Sequence, residues 1–312
     1  LTISGLHGDV SRSETALFSF RSGTMLRTKV MLLNSQLQCG AYAQHAVSFV
    51  SSIATNSLLL FSNNEIVSSP SSSSAFTVVS TAHSHLVSST VMVQHVTLPL
   101  DTTSTHWHLL HLGHRDVSNT ELHLTNCSFR AAKASGSVTA LSLNDDGGQS
   151  HITNCKLNVE DVRMMGYSSS GEFELLRLHG NATTLQGTTI KLHRVELHTT
   201  ALRSSLLVNN VHLLNRSLIE ASDIVLNTVA TVKATDDVFP FSQSTVVATN
   251  FTIQRLSIRA TTTHGLQLLR FGTLVNGAIT VSQLTADVVA SSVVNSTDGP
   301  IALLFSSNGH LS

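Results

Sequence analysis

The chain has 312 residues with 41% hydrophobic and only 12% charged residues, enough apolar material for a sizeable core and too little charge for ordinary exposed helix faces. Eighteen basic and nineteen acidic residues leave a net charge of −1, and no basic block occurs, which excludes the electrostatics of nucleic-acid binding. Ser and Thr make up about a quarter of the chain, Pro is rare, and Val, Leu, Ile and Thr dominate, a composition that favours strands over helices.

Residues 1–88 follow a repeat less clearly than the rest. Ala43-Gln-His-Ala46 reads as part of an early coil, and Ser57-Leu-Leu-Leu-Phe61, followed by Asn63-Asn64, as a copy of the second of the two frames that recur later in the chain. The stretch Ser68-Ser-Pro-Ser-Ser-Ser-Ser74 reads as an exposed loop. From residue 89 onward two frames interleave. The first is apolar, two polar, apolar, one polar, usually apolar. It appears at Val93–Leu98, Leu124–Phe129, Ile152–Leu157, Leu192–Leu197, Leu226–Thr231, Ile253–Ile258 and Val281–Ala286.

The second frame is a dense apolar strand, at Trp107–Leu112, Val138–Leu143, Phe173–Leu178, Ser205–Val208, Gln267–Phe271 and Ile301–Phe305. Asn or Gly follows most copies, as tight corners require. Copies recur every roughly 27 to 40 residues, the spacing of solenoid repeats. One such unit cannot bury its apolar face alone; stacking successive units in parallel register makes a continuous core. A β-sandwich or propeller would also show many short strands. The shared step inside each unit favours an all-β parallel solenoid of seven or more coils, with 89–312 regular and continuous with 1–88. The open strand frame at the C-terminus and the start at Leu1 read as a piece of a longer solenoid.

Strands such as Leu124-Thr-Asn-Cys-Ser-Phe129 and Ile152-Thr-Asn-Cys-Lys-Leu157 resemble right-handed parallel β-helices of the pectin-lyase-like type. The Ser/Thr/Val-rich texture of residues 89–312 is similar to large repetitive surface proteins of protists, the dispersed gene family proteins of kinetoplastids. The resemblance implies a right-handed coil, surface display and adhesion, with glycans or surface proteins as partners.

Candidate chemistry is sparse. Pectin-lyase-like folds include polysaccharide lyases and hydrolases, which need paired carboxyls or a calcium-binding acid cluster with a base. Asp145 and Asp146, in Asn144-Asp-Asp-Gly-Gly148, are the candidate catalytic acids, but Asp-Asp-Gly-Gly is also ideal turn chemistry, and Asp236-Asp237 reads the same way. His106 and His108 alternate onto one side of a strand, with His111 and His114 nearby, so His106, His108 and His111 are the candidate ligands for zinc or copper. Outward-facing surface histidines are the plainer reading, and neither a metal nor a cofactor is expected.

Five sequons place candidate glycosylation at Asn126, Asn181, Asn215, Asn250 and Asn295 and suggest an extracellular or cell-surface location. No apolar run is long enough to span a membrane. Three cysteines at wide spacing do not form a disulfide framework. Cys127 and Cys155 read as holding equivalent places in adjacent repeats, as small buried residues of one core column or as a disulfide. The expected function is a non-catalytic structural or adhesive module, with a polysaccharide-degrading enzyme as the alternative.

Overall fold

The computed structural model describes residues 1–9, 16–21, 23–39, 45–50, 52–68, 76–100, 106–134, 136–144, 150–230, 236–262, 266–290 and 301–306. Every described element is a strand, and every described strand pairing is parallel. The main path of one sheet runs through ten strands: Thr2–Ser4, Lys29–Leu33, Leu58–Ser62, Thr90–Gln94, Glu121–Ala134, Lys156–Ser168, Thr189–Ala201, Leu218–Ala230, Asn250–Thr262 and Ala278–Ala290. The second sheet also runs through ten, from Ala16–Arg21 to Ile301–Ser306, and its strands alternate in sequence with those of the first. The chain is therefore a parallel β-solenoid in which each coil feeds both sheets.

The apolar-x-x-apolar step is a corner. Its second polar residue adopts a left-handed backbone, which turns the chain so that the apolar residues on both sides face inward. Gly5, Asn34, Asn63, His95, Asn126, Asp161, Arg194, Asp223, Arg255 and Gln283 hold this place in the ten coils. Only the first is glycine. The others carry a side chain at φ between 48° and 57°, a conformation that costs roughly 1–2 kcal/mol for a residue with a Cβ. Links between coils offset the cost. The corner amide of Asn34 donates to the Ser62 carbonyl at 3.0 Å and that of His95 to the Thr125 carbonyl at 3.0 Å. Asn63 Nδ2 donates to Asn34 Oδ1 at 3.1 Å.

A second corner stacks Arg27, Asn56, Ser88, Asn119, Asn154, Gly187, Arg216, Ala248 and Asn276. A small residue follows each of them, and from Ser57 through Ser89, Thr120, Cys155, Thr188 and Ser217 to Thr249 it is buried. These hydroxyls form a staircase. Ser89 Oγ donates to the Val87 carbonyl at 2.9 Å and accepts the Ser57 amide at 3.1 Å; Thr249 Oγ1 donates to the Val247 carbonyl at 3.0 Å and accepts the Ser217 amide at 3.4 Å. Buried backbone groups at the turn are thereby satisfied without water.

The two cysteines separate here. Cys127 follows the first corner, in register with Val162, whereas Cys155 stands in the second-corner staircase at the place held by Thr120 one coil earlier and Thr188 one coil later. Both are free and buried. The expectation of equivalent positions fails because both corners use the same local chemistry, apolar-Thr-Asn-Cys. For the same reason Ile152–Leu157 spans the second corner, not the first, whose true member in that coil is Val159-Glu-Asp-Val162. Likewise Ala221-Ser-Asp-Ile224, not Leu226–Thr231, is the first corner of its coil. Ser57–Phe61 belongs to the first sheet, and Phe76–Ser80 takes the expected place in the second.

In the second sheet two successive residues point inward, as in Leu109-Leu110, Leu175-Leu176 and Leu268-Leu269, all buried. The ladder skips the first of each pair on both strands, from His108↔Thr139 to Leu110↔Leu141 at an unchanged offset, so the irregularity stacks coil on coil. Aromatics close the core late in the chain. Phe241 and Phe271 stack at 5.5 Å, and Phe251 meets them edge-on at 5.2 and 5.3 Å. Replacing Phe251 by Ala should cost about 3–5 kcal/mol, read as a lowered midpoint of urea unfolding, since the cavity it leaves is walled by two stacked rings.

Candidate functional site

Parallel register places residues of successive coils about 4.8 Å apart in straight columns. On the outer face of the first sheet one column reads His123, Asn158, Lys191, Glu220, and the next reads Thr125, Glu160, His193, Ser222. Beside them runs the corner column Asn126, Asp161, Arg194, Asp223, Arg255. Opposite charges meet between neighbouring coils throughout. Lys156 Nζ lies 2.8 Å from Glu121, Lys191 Nζ lies 2.7 Å from Glu220, and Arg163 Nε lies 3.1 Å from Glu196. Arg194 grips Asp161 at 2.7 Å and also reaches Glu160, and Arg255 grips Asp223 at 2.7 Å. Arginine matches a carboxylate with two parallel donors, which fixes the geometry of these rungs.

The imidazoles are held in the same way. Asn158 Nδ2 donates to His123 Nδ1 at 3.3 Å, which leaves Nε2–H to donate to Glu121 at 3.3 Å. The arrangement recurs beyond the corner: Asn227 Nδ2 donates to His198 Nδ1 at 3.0 Å, and His198 Nε2 lies 3.4 Å from Glu196. His193 Nδ1 lies 2.9 Å from Ser222 Oγ and 3.3 Å from Asp223. Both ring nitrogens of His123 and His198 are thus engaged, and neither is poised as a base or a metal ligand. A groove of about 460 Å³ runs over this face, lined by His123, Asn158, Glu160, Lys191, His193 and Glu220. A smaller one of about 280 Å³ lies past the corner, beside His198, Asn227, Val229 and Arg259.

Among the described residues every acidic side chain whose contacts are given has a partner, from Glu65 with Gln36 to Asp287 with Arg259. The hydrogen bond from Lys156 holds the Glu121 carboxyl below its usual range; Arg194 does the same for Asp161, and Arg255 for Asp223.

The candidate catalytic and metal-binding residues singled out from sequence do not converge on this wall. Asp145 and Asp146 lie outside the described residues. Asp236 and Asp237 begin the strand Asp236–Val247, in register with Leu266 and Gln267, and are not a turn as expected. His106 opens the strand His106–Ser118; His108 and His111 project from the outer face of the second sheet with ring centroids 5.4 Å apart. No group of three or more His, Cys, Asp or Glu suited to a metal ion occurs among the described residues. Of the sequon asparagines, Asn126 and Asn250 are exposed, Asn215 is half-buried, Asn181 lies in the strand Phe173–Gln186, and Asn295 is outside the described residues.

Sequence reasoning missed the charge zipper. The signal was present: aligned on the true corners, residues 126 to 255 read Asn, Asp, Arg, Asp, Arg. It also missed Glu172, Glu174 and Arg203 on the second sheet. There Arg203 Nε donates to Glu172 at 2.9 Å, and Glu174 is 1% exposed.

No family model matches the chain, and no curated protein matches it. Among solved structures, a TibC-catalyzed hyper-glycosylated TibA fragment shows 16% identity over 88% of this chain and 99% of that chain, at a TM-score of 0.14. A likeness of that size carries no argument.

The zipper makes an acid prediction. The folded carboxyls of Glu121, Asp161 and Asp223 lie below their unfolded values of 4.5, 3.8 and 3.8, so their stabilisation is present above those values and lost as pH falls through the folded ones. Lowering the pH from 5 to 3 should therefore reduce Tm, and 0.5 M NaCl should shrink the drop, because these pairs are exposed and screened. Thermal melts followed by circular dichroism at both salt levels would check this.

Proposed function

We propose that the chain is a non-catalytic structural or adhesive module displayed outside the cell, a stiff β-solenoid whose first-sheet wall meets glycans or surface proteins. The observation that carries this reading is the engagement of the wall's reactive groups with each other. Carboxylates are tied to cations of the next coil, and imidazoles are held at both nitrogens between Asn and Glu. Hydrolysis of a glycosidic bond needs two carboxyls free to face the substrate across a gap, and lyase chemistry needs a free base. A wall of interlocked charges instead offers many fixed donors and acceptors, which suits multivalent, low-energy contact along a polymer.

The charge of the groove favours a hydroxyl-rich partner over a polyanion. Lys191 and Arg194 stand among Glu220, Glu160 and Asp161, two cations against three anions, so no positive field builds up to steer a polyanion. Exposed Asn126 and Asn250 fit an N-glycosylated, secreted chain. The resemblance to right-handed pectin-lyase-like coils of protist surface proteins supports the same reading.

A panel of neutral and acidic polysaccharides, tested with and without Ca²⁺, separates the alternatives. The expected result is retention on at least one polymer without release of oligosaccharides, weakened about tenfold in a Lys191→Ala, Glu220→Ala double variant. Product release would make the chain a carbohydrate-active enzyme and overturn the reading.

A further inference from the structure

Glu174 is the one charged side chain named so far that the fold buries. It projects from the outer face of the second sheet, with Thr139 in register one coil earlier and Ser205 one coil later. Its Oε2 accepts the Thr139 hydroxyl at 3.0 Å and lies 3.4 Å from Arg177 Nη1. Its Oε1 is enclosed and receives no donor from hydroxyl, amide or cation. Glu172 lies two residues earlier on the same side of the strand, where its charge raises the Glu174 carboxyl, and Arg203 Nε donates to its Oε1 at 2.9 Å. Two carboxylates cannot hydrogen-bond without a proton between them, and a buried oxygen without a donor is costly unless it becomes one.

We propose that Glu172 and Glu174 hold one proton between them, carried on Oε1 of Glu174 and donated to Glu172, and that its release loosens the second sheet where Ser137–Asn144, Phe173–Gln186 and Ser204–Asn215 stack. The pair is a proton-operated latch. Its charged surroundings are Arg177 on its own strand and Arg203 just before the next. The side chains facing it from the adjoining strands, Ser137, Thr139, Ser142 and Ser205, carry no charge. His108 and His111 stand one coil beyond Thr139 and Ser142.

Burial pushes the Glu174 carboxyl up to about 7, Arg177 pulls it down, and Glu172 pushes it up again. Because the folded value lies above the unfolded 4.5, the contribution is fully present below about pH 4.5 and is lost as pH rises to about 7. The unfolding constant then grows by roughly tenfold per pH unit across that window. His45 acts in the opposite sense. Burial, with His111 adding to it, lowers His45 from 6.5 to about 4, so it favours the folded state increasingly as pH rises between those values. The two effects act in opposite senses over overlapping pH ranges in a whole-molecule melt, so the latch has to be read locally.

Infrared difference spectroscopy and hydrogen exchange on the full chain do so. Wild type should show a protonated-carboxyl stretch at pH 6 that fades by pH 8.5 and is absent from Glu174→Gln. Amides of the three strands should exchange about tenfold faster at pH 8 than at pH 6 after correction for intrinsic rates, and Glu174→Gln should show no such change. Glu172→Gln keeps the buried acid without its repelling neighbour and should shift loss of the infrared band to lower pH. A wild type without the band at pH 6, a band that survives in Glu174→Gln, or equal exchange in wild type and variant would each overturn the proposal.

Discussion

A parallel solenoid makes every residue a neighbour of its own counterpart. Once strands stack in register about 4.8 Å apart, a side chain must be compatible with whatever stands in the same column one coil earlier and one coil later. Apolar columns meet this condition at once, and the interior from Leu32 to Phe271 is built of them. Polar columns meet it only if each member can both give and accept. The hydroxyl staircase from Ser57 to Thr249 and the Asn34–Asn63 contact are solutions of that kind. Ionic columns meet it only by alternating sign, as Asp161, Arg194, Asp223 and Arg255 do.

The same constraint explains why residues with side chains sit at left-handed corners. In an isolated turn Arg or Asp at positive φ would be replaced to advantage by Gly. Here the corner side chain reaches its counterpart in the next coil, and a glycine could not. Gly187 shows the other limit: a Cβ there would lie 2.6 Å from Asn154 Oδ1, so the side chain of the preceding coil fills the space.

Much of the architecture could be read from the amino acids, because apolar periodicity is a property of single strands. The step of Val93-Gln-His-Val96 and the dense apolar run of Phe173–Leu178 are visible locally, and the structure makes the first a corner and the second a strand of the second sheet. Register between coils is not local. Leu124-Thr-Asn-Cys127 and Ile152-Thr-Asn-Cys155 are nearly identical because each must bend a strand around a buried small residue, and only pairing shows that they bend it at different corners. That slip hid Asp161 and Asp223, and with them the charged wall. Glu174 was hidden for another reason. Alternation puts it outward, where a carboxylate is ordinarily solvated, and its burial depends on neighbours remote in sequence.

Alternating sign along the corner column gives the solenoid a longer period than its coil. Removing one coil, so that Asp161 met Asp223, would set carboxylate on carboxylate, whereas removing two would set Asp161 on Arg255 and leave the pattern whole. In this part of the molecule the unit that can be duplicated or deleted without electrostatic penalty is a pair of coils. Inserting a pair of coils here would keep every rung between opposite charges, whereas inserting a single coil would set two like charges in contact.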